Sequence, residues 1–213
     1  MRLYLSSYRL GNQPQALLDL LPARRRTALI FNAGDLKLAA ERKQSVDRDL
    51  AELTALGLDP FEVDLRDYFE NSAGLREILA TVDLIWARGG NCFVLRRALL
   101  QSGADELIKD MLGHDAVVYG GFSAGCDMLI PSLHGAELCD DPNAIPPGYL
   151  PAIIWDGLGL LPYSIAPHYR SDHPESAAID KSVEYMIDHH IPFIALRDGQ
   201  AIVVNGATQT ITG

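Results

Sequence analysis

Short apolar runs bounded by turn signals punctuate the whole chain: RLYLSS, TALIFNAG, FEVDL, VDLIWARGG, AVVYGGFS, YSIAPHY, PFIALRDG and QAIVVNG. Several are continuous rather than alternating, as expected for strands covered on both faces. Helical patterns lie between them. Val46, Leu50 and Leu53 repeat at spacings of four and three inside a charged stretch over 35–57, giving one apolar face and one wet face. Leu75 to Val82 predicts a shorter helix, and Asn91 to Leu100 and Ala104 to Leu112 predict two pieces broken near Gly103. Pro174 to Asp188 opens with a proline suited to a first helical turn. This alternation specifies an α/β fold, a mainly parallel sheet between helical layers. No repeat or low-complexity linker divides the 213 residues, so a single domain over 1–213 is expected. The proline-rich, irregular segment from Pro131 to Leu161 is long enough to suggest a functional loop, and whether it covers a site as a lid is left open.

The net charge of −10 argues against nucleic acid or an anionic membrane as partner, since both need a basic footprint. No apolar run approaches the roughly 20 residues that cross a bilayer. The opening MRLYLSSYRLGNQP is too polar for a secretory signal, so a cytoplasmic location is the expectation. Cys92, Cys126 and Cys139 make neither an even disulfide framework nor a C-x-x-C site and read as reduced thiols. Six scattered histidines, with His189-His190 at a helix end, offer no metal-ligand spacing, so neither metal nor cofactor is expected.

Three of the runs end in residues that carry chemistry, and in doubly wound sheets ligands sit at such strand ends. Gly121-Phe122-Ser123-Ala124-Gly125 reads G-x-S-x-G. A serine there can sit on a sharp strand-to-helix turn, where small neighbours let the backbone bend. An ordinary glycine-rich turn with a serine cap is the plainer alternative. His168, stiffened by Pro167, has a pKa suited to taking a serine proton at neutral pH. A third group should orient the imidazole, and Asp198 in ALRDGQA is placed for it. Asp198-Gly199 reads equally as a turn, and Glu137, Asp140 and Asp141 compete for the role. An acyl-transfer site also needs oxyanion donors. Gly89 or Gly90 could supply one N–H and Ala124 the other, against the plainer reading of a tight connection with Asn91 capping the next helix.

Taken in order, RGGNCFVLRRAL, GGFSAGCDM, APHY and LRDGQAIVV resemble the aspartyl dipeptidase (peptidase E) and cyanophycinase family of serine peptidases, from about Leu29 to Gly206. The resemblance implies a three-layer αβα sandwich similar to class I glutamine amidotransferases (flavodoxin-like). It implies Ser123 as nucleophile, His168 as general base and Asp198 in the position of the dipeptidase's glutamate. Gly90 and Ala124 follow as the oxyanion hole, with Gly89, Asn91 and Arg170 beside the substrate. Cys126, three residues past Ser123, is not read as the nucleophile. In the aspartyl dipeptidase an arginine in the helix after the histidine grips the substrate's aspartate. Here HPESAAIDKSVEYM holds only Lys181, an imperfect substitute for a bidentate arginine, with Arg170 just before it, so the preference for an aspartate side chain is left open.

The function expected is hydrolysis of small peptides through an acyl-enzyme on a Ser-His-Asp triad. A cyanophycinase-like or other acyl hydrolase and a catalytically silent binding protein are the alternatives. The expected partner is a small peptide, and a homodimer is kept open.

Overall fold

The computed structural model describes residues 1–69 and 71–213. In chain order the elements are β1 (Arg2–Ser6), α1 (Gln15–Leu18), β2 (Arg26–Ile30), α2 (Ala39–Ala55), β3 (Asp59–Glu62), α3 (Ser72–Leu79), β4 (Leu84–Ala87), α4 (Cys92–Ser102), α5 (Ala104–Gly113) and β5 (Val118–Phe122). They continue with α6 (Ala124–Asp127), β6 (Ser164–Ala166), α7 (Ser176–Asp188), β7 (Phe193–Ala195), β8 (Ala201–Asn205) and β9 (Thr208–Thr212). Seven strands form one sheet in the order β3-β2-β4-β5-β1-β8-β9. All pairings from β3 to β1 are parallel, and β8 and β9 close that edge antiparallel.

Alternation along the central strands builds two cores. In β1, Leu3 and Leu5 face a cluster with Leu75 and Leu79 of α3, Phe93 and Leu95 of α4 and Ile108 of α5, while Tyr4 faces the other side with Leu17 of α1 and Val46 and Leu53 of α2. Both faces are therefore covered, which is why the strand runs are almost wholly apolar. The expected three-layer αβα sandwich is what the chain forms.

Two of the expected strands sit elsewhere. β6 and β7, from YSIAPHY and PFIALRDG, pair with each other in a separate parallel sheet. α7 packs on it through Ile179, Val183 and Met186 to make a third, small core. Gly103, with φ of 73°, makes the expected break between α4 and α5. The segment 131–161 contains a 3-10 turn over Ala136–Leu138 and one bridge between Ser132 and Asp156.

That segment is stapled to α4. Arg96 Nε donates to Asp156 O at 2.7 Å, Arg97 Nε to Ala152 O at 2.9 Å, and Arg97 Nη2 to Pro142 O at 2.6 Å. Tyr149 Oη donates to the Asp35 carboxylate and anchors the segment to the turn after β2. A loop tied along its length through buried guanidinium groups is a fixed wall, so the structure gives no support to a hinged lid.

Candidate active site

Parallel strands β2, β4, β5 and β1 end on one edge of the sheet. Because β8 runs antiparallel to β1, with Ser6 opposite Ala201, the chain entering β8 passes that same edge. The ends of β4 and β5 lie there beside the turn that follows β6, and a cavity of about 510 Å³ opens between them, lined by Gly89, Gly90, Asn91, Phe122, Ser123 and His168 among others.

Ser123 sits between β5 and α6 at φ 51°, ψ −122°, a region that side chains rarely occupy. The turn is this tight because it lies against β4. A Cβ on Gly121 would come 2.6 Å from Ala87 O, and one on Gly125 2.2 Å from the same oxygen. The glycines of G-x-S-x-G are required by close backbone approach. Ser123 O accepts from Cys126 N at 2.7 Å, so the carbonyl is tied down while the side chain, 9% exposed, borders the cavity. Cys126 lies in α6, fully buried, its Sγ donating to Ser6 O at 3.2 Å. Burial pushes its thiol well up, which disfavours the thiolate form.

His168 follows β6 with φ of 59° and is 1% exposed. Its Nδ1 donates to Asp198 Oδ1 at 2.7 Å. A carboxylate can only accept, so Nδ1 carries the proton and Nε2 keeps a lone pair. Ser7 completes the arrangement and was not legible in the sequence. Fully buried at the end of β1, its Oγ accepts from His168 N at 2.8 Å and donates to Asp198 Oδ1 at 2.8 Å. Ser171 Oγ accepts from Asp198 N at 2.8 Å. Asp198 also occupies the turn read from Asp-Gly: Gln200 N donates to Arg197 O at 2.9 Å, and Gly199 has φ of 97°. One residue thus makes both the turn and the bond to the imidazole. Burial lowers the His168 pKa below its ordinary 6.5, the Asp198 carboxylate opposing that shift. The Ser123 hydroxyl makes no hydrogen bond to His168; contacts of this kind often tighten only when substrate arrives.

The competing acids are placed otherwise. Asp140 lines the cavity, but its Oδ2 accepts from Cys92 N at the start of α4, at 2.8 Å. Burial pushes its carboxyl up to about 6. Glu137 accepts from Gly135 N at 2.6 Å, and Asp141 Oδ1 from Asn143 N at 2.8 Å. Only Asp198 among the four is bonded to the imidazole.

Gly89, Gly90 and Ala124 donate their backbone N–H groups to no acceptor among the described residues. Gly90, at φ 144°, presses on the turn after β2, where an added Cβ would meet Ala33 O at 2.5 Å. One on Gly89 would meet Ser123 Cβ at 2.9 Å. Asn91 is occupied structurally: Oδ1 caps α4 by accepting from Val94 N at 3.0 Å, and Nδ2 donates to Asp141 O at 3.0 Å. It still borders the cavity. Arg170 does not. With φ of 48° it turns outward, exposed, its guanidinium 5.0 Å from the Tyr169 ring centroid. The left-handed turn that follows His168 carries Arg170 away from the site, which corrects its expected place beside substrate. The cations lining the cavity are Lys37 and Arg88 instead. Arg88 is already bound, Nε donating to Asp49 Oδ2 at 2.7 Å, whereas Lys37 is exposed and makes no ion pair among the described residues.

The sequence profile of peptidase family S51 matches residues 7–212. The chain belongs to peptidase family S51. The S51 relatives include a probable alpha-aspartyl dipeptidase of Drosophila melanogaster, 29% identical over 64% of this chain and 56% of the relative. Another is a peptidase E of Streptomyces coelicolor, 31% identical over 71% of this chain and 60% of the relative. This S51 chain thus spans less than two thirds of the length of those relatives. Its fold is also that of a Listeria monocytogenes EGD-e protein described as a candidate peptidase E, with a TM-score of 0.79, 22% identity, and 99% and 97% of the two chains covered.

Proposed function

We propose that this S51 chain is a serine peptidase acting on small peptides through an acyl-enzyme. The observation that carries this reading is that His168, bonded to Asp198 behind it, borders the same cavity as a serine held at a strained strand-to-helix turn. Ser123 Oγ attacks the scissile carbonyl while Nε2 of His168 takes its proton. Asp198 holds the tautomer and stabilises the imidazolium. The N–H groups of Gly90 and Ala124 receive the developing oxyanion. His168 then returns the proton to the leaving amine, and water repeats the attack on the ester.

Specificity follows from the lining. Asp140, Asp141 and Glu175 set three carboxylates against Lys37 and Arg88, and Arg170 is outside. A peptide bringing a free ammonium group is favoured over one bringing an acidic side chain. A dipeptide panel with free and blocked amino termini tests both parts. Hydrolysis of neutral dipeptides with free termini, lost in Ser123→Ala, is the expected result. Near-wild-type hydrolysis by Ser123→Ala would remove the serine-peptidase reading, and a strict preference for aspartyl dipeptides would overturn the specificity.

A further inference from the structure

His168 has neighbours that the hydrolytic steps leave idle. Its Nε2 lies 3.9 Å from Glu175 Oε2, and the same carboxylate oxygen lies 3.9 Å from Nδ1 of His173. The three ligand atoms fall within 4.8 Å of one another. The two imidazoles stack, with centroids 3.7 Å apart and planes at 7°, and Tyr8 sets its ring edge-on to both. Left-handed backbone at His168 and Arg170 folds the chain back and lays His173 over His168. The cluster borders the solvent-reached cavity.

We infer that His168, His173 and Glu175 form a reversible inhibitory site for a divalent transition ion, Zn²⁺ foremost. Two imidazole nitrogens and one carboxylate oxygen, with a position left for water, are the donors of an open zinc site. This set selects zinc, nickel or copper over magnesium and calcium, which prefer oxygen alone. An imidazole lone pair lies in the ring plane, so coordination requires the His173 ring to turn out of its parallel stack on His168, letting the three atoms close to the roughly 2.0–2.2 Å of zinc–nitrogen and zinc–oxygen bonds. His168 is already prepared as a ligand. Its Nδ1–H is held by Asp198 at 2.7 Å, and a carboxylate behind a histidine fixes the tautomer of a metal ligand and raises its basicity. Nδ1 of His173 also presents a lone pair, accepting a 3.3 Å hydrogen bond from Glu175 N that the ion replaces. Sequence spacing did not announce the site because the donors are brought together by a turn, not by a helix face.

Coordination occupies the lone pair that receives the serine proton, so the filled enzyme is inactive. This consequence rests on the proposed function; binding of the ion does not. The test is titration of Co²⁺ into the protein, read by the visible absorption of tetrahedral cobalt and competed with Zn²⁺. Wild type and Ser123→Ala should give the same spectrum and affinity. His173→Ala and Glu175→Gln, each checked for fold by circular dichroism, should bind at least tenfold more weakly, and His173→Gln replaces the first should it misfold. Zn²⁺ should inhibit dipeptide hydrolysis over the same concentrations, and EDTA should restore it. No tetrahedral spectrum, or equal binding by wild type and variants, would overturn the site. Binding without loss of hydrolysis would overturn its inhibitory role. An active Ser123→Ala that keeps the cobalt spectrum would instead remove the serine reading alone.

Discussion

At the scale of single residues, what was legible depended on whether a role demands an unusual residue type. Ser123 between glycines could be read because only small neighbours fit against Ala87. Asp198 could be read because a turn and an orienting acid both want a short carboxylate there. Ser7 could not: a serine at the end of a strand looks like any other until the fold lays it between His168 N and Asp198. Arg170 failed because a residue's reach depends on backbone torsion, and φ of 48° sends it outward. The lowered His168 pKa gives a prediction with a definite sign. The base must be neutral to work, so the acid limb of kcat/KM should fall below pH 6.5, the ordinary value for histidine. Glu175 faces Nε2 and favours the protonated ring, so Glu175→Gln should move the limb lower still, checked by pH–rate profiles at low ionic strength. Asp140 titrates at about 6 in the same cavity, and Asp140→Asn should leave the limb in place. A limb displaced upward by Glu175→Gln would contradict the arrangement.

At the scale of elements, local pattern carried well where each element contributes its own periodicity. α2, the pair α4 and α5 with their break at Gly103, and the central strands lie close to where apolar spacing put them. β9 was missed because Thr208–Thr212 is polar and mostly exposed, an edge strand specified by its pairing with β8. That β6 and β7 leave the main sheet was also not legible, because strand partnership is a non-local property. No sequence pattern announced the role of Arg97 in α4, which is fully buried and clamps the segment 131–161. The elbow gives the sharpest element-level prediction. Gly125→Ala drives a methyl into the Ala87 carbonyl, at 2.2 Å. It should destabilise by about 1–3 kcal/mol or more and abolish activity. Gly113→Ala, at the end of α5 with nothing within 4 Å, should be neutral or stabilising by about 0.4–1 kcal/mol. Thermal melts of both variants check the contrast.

For the molecule as a whole, the site is a property of the sheet edge. Parallel strands deliver Ser123 and the Gly89-Gly90 segment, and the antiparallel turn into β8 delivers Asp198 beside Ser7. Among the described residues no helix is long and apolar enough to cross a membrane. One buried group works against stability. Asp127 in α6 is 9% exposed and hydrogen-bonds to no described side chain or backbone group through its carboxylate. Burial, then Asp140 and Glu175, pushes its pKa well above 3.8. An acid raised on folding binds extra protons in the native state, so stability is lost as pH rises through the window above 3.8. Asp127→Asn should therefore raise Tm at pH 7.5, by about 2–4 °C for each kcal/mol recovered, and by less at pH 5. A larger gain at pH 5 than at pH 7.5 would contradict the sign. The central claim is that Ser123, activated by the His168–Asp198 pair, is the nucleophile, and covalent labelling by a fluorophosphonate measures it most directly. Intact-mass and peptide analysis should find one adduct per chain, on Ser123, formed by wild type, absent from Ser123→Ala and slowed by orders of magnitude in Asp198→Asn. An adduct on another residue, or equal labelling of Ser123→Ala, would contradict the account.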